Sequence, residues 1–259
     1  MDKIKILNQT KKDVKNILEN TDQQIINLSL ILTKIPENIN EQYNNLRILS
    51  DLLFPTLEKE LTIKEYCLFI KEYIIDEKIN YKKLQENGIS KEKINIITKI
   101  NSYNTNIEYK LETKKIIQKL SKNILKLIEI KEKIEKEIDI LFEENYKNTK
   151  EIATISIACK MLEISGSFKR LSRFPASTIQ LLGSEKSFFK ALKTNRKTPK
   201  YGILYNHPLI IKQKEKNKGK VARSLAAKIS ICLKADIDKV EIYKDIIEKL
   251  NIKIKQLER

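Results

Sequence analysis

Apolar residues near the start of the chain recur at Val14, Leu18, Thr21, Ile25, Leu28, Leu32 and Ile35 in alternating steps of four and three. That spacing lays one seam along a helix, and Pro36 predicts where the helix ends. A second helical stretch follows through Leu46, Leu49 and Leu53 to the break at Phe54-Pro55. From Leu57 to Ile100 the pattern breaks into shorter helices, with Asn87-Gly88 stopping one and Ser90 opening another. The clearest period runs Ile117, Leu120, Ile124, Leu127, Lys131, Ile134, Ile138, Leu141, and no Gly or Pro lies between Gly88 and Gly166. A repeat of 3.5 residues favours a left-handed coiled coil. Lys131 either specifies register or partner at its core-type position, or snorkels at the edge of a bundle. Two matching seams predict an antiparallel pairing within the chain, with the intervening helices capping its tip, and the same rod offers a surface for dimerisation.

The rest of the chain is punctuated differently. Ile152, Ile155, Cys159 and Leu162 predict an amphipathic helix ending at Ser165-Gly166. Pro175 opens a helix and Gly183 closes it. Ser184 predicts the cap of the next, with Glu185 in its first turn and an end near Lys193. Residues 194–219 read as a long loop, a helix runs from Lys220 to about Lys234, and Asp236 or Asp238 caps a last amphipathic helix.

Charge separates the two parts. Residues 166–234 hold 17 Lys and Arg against only Glu185 and Glu215, leaving 34 basic and 32 acidic residues elsewhere, so nearly all of the net charge of +17 sits there. Four of the five Gly and three of the five Pro fall in that block too. A compact basic module beside a neutral helical remainder is the footprint of a polyanion-binding protein, with a nucleic-acid backbone as the leading partner. The three cysteines are far apart and form no C-x-x-C pair, which argues against a disulfide scaffold or structural zinc and predicts buried small hydrophobes. The N-terminus does not resemble a signal peptide and no stretch reaches a membrane span, which predicts a soluble intracellular protein.

Within the block, turning about 100° per residue from Lys220 puts Arg223 and Lys234 on the same narrow face. Val221, Ala222, Leu225, Ala226, Ile229, Cys232 and Leu233 fall opposite. The helix is therefore expected to bury its Ala/Leu face and to present three cations. With Lys220 in the first turn, an anion bound there would also use free backbone N–H groups. Upstream, Lys197 to Pro208 interleaves cations, tyrosines and the pair Asn206-His207, a composition suited to stacking unpaired bases and reading their edges. His207, the only histidine, lacks an adjacent orienting acid, so stacking or packing is favoured over catalysis. No Gly-rich phosphate loop, nucleophile elbow or paired carboxylates occur in the block, and no enzyme, metal or cofactor is predicted.

Five ordered blocks then resemble one family. The run Gly166-Ser167-Phe168-Lys169-Arg170-Leu171-Ser172-Arg173-Phe174-Pro175-Ala176-Ser177-Thr178-Ile179-Gln180-Leu181-Leu182-Gly183 is similar to the signature of the Nop domain. It continues with Ser184-Glu185-Lys186, Thr198-Pro199-Lys200-Tyr201-Gly202, Tyr205-Asn206-His207-Pro208 and Gly219-Lys220-Val221-Ala222-Arg223. The resemblance covers roughly residues 10–240. It implies an all-α protein: a coiled-coil domain with a helical tip over 1–148 and a Nop domain over 149–259. It further implies a scaffold of box C/D ribonucleoprotein particles, binding kink-turn RNA together with a small ribosomal-protein-like partner and supporting guide-directed 2′-O-methylation. Dimerisation through the coiled coil, as homodimer or paralogue dimer, is implied too. Members carry an N-terminal domain that docks a fibrillarin-type methyltransferase; this sequence begins directly with the coiled coil, so that partner is expected only in the full complex. Gly183-Ser184-Glu185-Lys186 has Ser where Ala is common, and Lys190 stands where Arg is frequent.

On this basis Lys220 and Arg223 are expected on phosphate, Asn206 and His207 near the RNA stem or bases, and Lys200, Tyr205 and Lys234 among the RNA-binding residues. Gln180 is expected near the RNA–partner surface, and Lys186 with Lys190 near the guide duplex. The competing reading is a coiled-coil oligomer docking its basic tip on an anionic membrane or an acidic protein.

Overall fold

A computed structural model describes residues 20–51, 53–54, 56–76, 81–102, 109–194, 196 and 198–258. The first two seam positions, Val14 and Leu18, together with Pro55 and Lys197, lie outside the described residues. Among the described residues the chain is all-α. The helices are α1 (Thr21–Ser50), α2 (Leu57–Glu60), α3 (Ile63–Asp76), α4 (Tyr81–Glu86), α5 (Lys91–Ser102), α6 (Leu111–Asn145) and α7 (Lys147–Ala153). They continue with α8 (Ile155–Ser165), α9 (Phe168–Leu171), α10 (Ala176–Leu181), α11 (Glu185–Lys193), a 3-10 turn (Ile203–Asn206), α12 (Pro208–Ile211), α13 (Glu215–Ile237) and α14 (Tyr243–Glu258). No described helix is long and apolar enough to cross a membrane.

Pro36 does not end the first helix. It lies inside α1, which runs on to Ser50. An internal proline removes one backbone hydrogen bond and costs about 3 kcal/mol. Ile35 and Ile39, buried on either side of it, offset that cost by continuing the apolar seam.

The chain folds as two compact units: residues 31–135, and the described residues up to Leu30 with those from Lys136 onward. The border between these compact units falls within α1 and α6. In the first unit, Ile35, Ile39 and Leu46 of α1 share a core with Ile117 and Ile124 of α6. Tyr109 Oη donates to Leu49 O at 2.8 Å, which sets the end of α1 beside the residues that lead into α6. The tip helices close over an aromatic cluster in which Phe54 meets Phe69 and Tyr73 edge-on. Lys131 is half-buried and pairs with Glu135 one turn on, at 3.3 Å.

The second unit is built around α13. All seven residues placed on its apolar face, from Val221 to Leu233, are fully buried. Two helix starts meet a buried polar knot beside it. Asp236 accepts from the backbone N–H of Asn148 and Thr149 at 3.0 and 2.9 Å, and from the Thr149 hydroxyl at 2.6 Å. Asn148 Oδ1 in turn accepts from the N–H groups of Ile242 and Tyr243 at 2.7 and 2.9 Å. Asp236 thus caps α7, and Asn148 caps the final helix; neither Asp236 nor Asp238 caps that helix. The helix expected up to Gly166 is broken at Thr154, whose φ of 69° interrupts the turn between α7 and α8. Gly166 closes α8 with a φ of 78°, the left-handed end its position implies. The three cysteines are buried and free.

Candidate nucleic-acid interface

Four chain segments meet around a cleft of about 450 Å³ in the second unit. Ser177, Gln180 and Leu181 come from α10, and Phe188 from α11. Thr198, Pro199 and Lys200 form a strap, and Lys216, Gly219, Lys220 and Arg223 come from α13. The strap is held by backbone geometry. Gly202 N–H donates to Gln180 O, Ile203 N–H donates to Leu182 O, each at 2.9 Å, and Gln180 Nε2 donates to Lys200 O at 2.7 Å. A Cβ on Gly202 would lie 1.9 Å from the Leu182 carbonyl oxygen, so only glycine lets the strap come this close. Gly183 opposite it has a φ of 79°, and a Cβ there would strike Ile203 Cγ2 at 2.7 Å. The wording Thr198-Pro199-Lys200-Tyr201-Gly202 is thus explained by a close backbone approach that fixes one wall of the cleft.

The start of α13 differs from expectation in a way that matters. The helix begins at Glu215, not at Lys220, and Gly219 lies inside it. Lys220 is therefore in the second turn, where backbone N–H groups are already used within the helix, and no anion site at a helix start exists around it. Glu215 occupies the first turn instead, where a carboxylate is favourable. The earlier start adds Lys216 to the face of Lys220, one turn before it. Lys216 was not among the residues singled out from sequence, although the four-residue step to Lys220 is the signal that finds it once the helix is placed.

Of the ten residues singled out, Gln180, Lys200, Lys220 and Arg223 line this cleft. Lys234 is exposed on the same helix, about 21 Å further along at 1.5 Å per residue. Lys186 and Lys190 are exposed on α11. Each is about 200° around that helix from Phe188, so both project away from the cleft that Phe188 lines. Asn206 is exposed on the 3-10 turn.

Tyr205, 44% exposed, stacks on Tyr201 with ring centroids 5.0 Å apart. Lys218 Nζ lies 5.0 Å from the Tyr205 ring centroid. Glu215 joins the group, accepting from Tyr201 Oη at 2.9 Å and pairing with Lys218 at 3.0 Å. The Lys218 and Tyr201 hydrogen bonds hold the Glu215 carboxyl below its usual range. Its hydrogen bond to Glu215 holds the Lys218 ammonium above the ordinary lysine value.

His207 is placed differently from expectation. It is 4% exposed, accepts at Nδ1 from Leu209 N–H at 3.2 Å, and donates from Nε2 to Ile152 O at 3.1 Å. Those contacts cap α12 and tie it to α7. The imidazole offers no face to a ligand, so of the two roles favoured from sequence it takes packing and not base stacking. Likewise the Ser184 side chain does not cap α11; its hydroxyl donates to Leu181 O at 2.6 Å, while the Glu185 carboxylate accepts from Gly183 N–H at 2.9 Å. Residues 194–219 hold the 3-10 turn, α12 and the first turn of α13 where a loop was expected.

Chemically the cleft is concave, lined by four cations, two hydroxyls, an amide and a phenyl ring, with no carboxylate among its lining residues. Such a set has the donors that phosphate recognition uses, with an apolar ring surface beside them. Among the described residues no group of three or more His, Cys, Asp or Glu is placed to hold a metal ion.

The profile of the Nop family, described as "snoRNA binding domain, fibrillarin", matches residues 31–257. This chain belongs to the Nop family. An uncharacterized NOP5 family protein of Methanocaldococcus jannaschii is 31% identical over 257 residues, 96% of this chain and 60% of that protein. Nucleolar protein 58 of Yarrowia lipolytica is 38% identical over 129 residues, 50% of this chain and 24% of that protein. The Nop chain therefore spans less than two thirds of the length of these relatives. A chain from the crystal structure of a fibrillarin/Nop5p complex aligns at 27% identity with a TM-score of 0.46, over 88% of this chain and 78% of that one.

Proposed function

We propose that this Nop-family chain is a non-enzymatic RNA-binding scaffold of a box C/D-type ribonucleoprotein. In this reading it grips kink-turn RNA jointly with a small kink-turn-binding protein and supports guide-directed 2′-O-methylation by a fibrillarin-type methyltransferase in the full complex. The observation that carries the reading is the cleft, where Lys200, Lys216, Lys220 and Arg223 converge beside Gln180 without an acidic residue in the lining. Four cations arranged around a concavity fit a backbone that enters it. A membrane headgroup plane cannot follow such a surface, which counts against the membrane-docking alternative. Family membership supplies the class of RNA, and the fibrillarin in the description of the family supplies the candidate enzyme.

The test is a gel shift of a box C/D kink-turn RNA with this chain, alone and with the small kink-turn protein. A supershift only in the partner's presence is expected. Equal, tight binding to random RNA by the chain alone would overturn the joint-site reading. Liposome binding without RNA preference would favour the membrane alternative.

A further inference from the structure

Gly219 is an oddity of α13. A glycine inside a 23-residue helix costs about 1 kcal/mol relative to alanine, and its φ is not one that requires glycine. A Cβ built there would touch only the Lys200 side chain, at 3.4 and 3.8 Å, and Gly219 is one of the cleft-lining residues. What the missing methyl group leaves free is therefore space in the cleft, next to the lysine that arches over it.

The rest of the lining divides by chemistry. Phe188, Leu181 and Pro199 give it an apolar wall. Lys216, Lys220 and Arg223 give it a cationic one, with the Ser177 and Thr198 hydroxyls and the Gln180 amide between. Gln180 Nε2 is engaged with the strap, which leaves its Oε1 as an acceptor. A duplex backbone presents phosphates and ribose but no exposed ring face, so it has no use for a phenyl wall. A single unstacked nucleotide has both a ring face and a phosphate.

We propose that the cleft takes one unpaired nucleotide of the bound RNA strand. Its base lies on Phe188 and its phosphate is held by Lys220 and Arg223, with Gly219 providing the room. This rests on the RNA-scaffold reading above and adds the class of ligand that fills the cleft. Base stacking on aromatic rings tolerates any base, so the site selects an unpaired position, not a sequence.

The experiment uses the full chain in complex with kink-turn RNA and the small kink-turn protein, with 2-aminopurine placed in turn at each unpaired position. One position is expected to change fluorescence only when the chain joins, and Phe188→Leu, which keeps apolar volume but removes the ring, abolishes that change. Phe188→Leu should weaken the complex about tenfold while leaving its salt dependence unaltered. Phe188→Tyr restores both, and Gly219→Val, which fills the cleft, reproduces the loss. If the supershift forms but no position responds and Phe188→Leu binds as wild type, the nucleotide assignment is wrong while the scaffold reading stands. If no supershift forms at all, the scaffold reading falls first. Binding of free AMP as tight as that of the RNA would overturn the assignment to a strand.

Discussion

The charges of residues 31–135 and those of residues 166–234 are held in opposite ways. In the first region Arg47 pairs with Asp51 and Glu58, Lys64 with Glu132, Lys93 with Glu65, and Lys133 with Glu129. In the second, Lys218–Glu215 is the one ion pair among the described residues, although the region holds 17 cations. The first pattern solvates helix surfaces and adds little to stability pair by pair. The second leaves positive charge uncompensated, which strains the folded state by self-repulsion and is relieved by a polyanion. Paired charge is thus a matter of folding here, and unpaired charge a matter of binding. That distinction can be tested by removing one kind at a time.

The largest effect belongs to a buried carboxyl group just beyond the basic region, held by hydrogen bonds and not by an ion pair. Asp236 is buried and accepts four hydrogen bonds from Asn148 and Thr149. Asp236→Ala strips the cap from α7 and leaves the backbone N–H groups of Asn148 and Thr149 buried without that acceptor, while Asn148 Nδ2 keeps Val240 O. A loss of about 3–5 kcal/mol in unfolding free energy is expected by chemical denaturation. A loss under about 1 kcal/mol would show that the knot is not what holds the two helix starts.

Next comes the opposite case. Lys220→Ala with Arg223→Ala should leave the unfolding midpoint unchanged, since neither side chain makes an ion pair among the described residues. RNA affinity is expected to fall about 20-fold at physiological ionic strength, and the slope of log affinity against log salt by roughly 1.4–1.8, two phosphate contacts' worth. An unchanged slope would remove these residues from the phosphate-binding face.

How far these features could be read beforehand depended on whether their cause was local. The buried face of α13 follows from a 3.6-residue period over seven apolar residues, and it was legible. The cation face of Lys220 and Arg223 was legible for the same reason. Pro36 and Gly219 were misread because each is a strong local breaker overruled by its surroundings: buried isoleucines hold the helix through Pro36, and the helix from Glu215 runs through Gly219. Reading Gly219 as a stop also moved the helix start by five residues and hid Lys216. The partners of Asp236 lie 88 and 87 residues away, and no periodicity announces contacts of that kind. His207 sits in a segment whose composition suits RNA, but its burial is set by Ile152, 55 residues earlier.

His207 sharpens the comparison because it is a titratable group inside the basic region that serves the fold. Burial holds its imidazole below the ordinary value of 6.5, against a smaller opposing effect of the Ile152 carbonyl. On acidification the unfolded chain therefore takes up the proton first. The contribution of the neutral ring is present above pH 6.5 and is lost as the pH falls below that value. Denaturation midpoints measured between about pH 7.5 and 5 should decline in the wild type. His207→Gln, though less stable throughout, should decline less steeply, and parallel curves would show that other groups set the acid limb.

The smallest effect tests the rule from the other side, by creating an unpaired cation. Glu215→Gln keeps the length of the side chain and an acceptor for Tyr201 Oη, so the Tyr201–Tyr205 stack has what it needs to persist. What it removes is the counter-charge of Lys218. If unpaired charge in this region is available to a polyanion, freeing Lys218 should raise RNA affinity by a few-fold and steepen the salt slope by less than one phosphate contact, roughly 0.7–0.9. The bound is not reached because Lys218 remains tethered near the Tyr205 ring, 5.0 Å from its centroid, and is only partly free to reach a phosphate. A salt slope that does not move would mean that Lys218 faces away from the RNA. The paired and unpaired cations of this region would then differ in position as well as in partner, and the cleft alone would carry the binding.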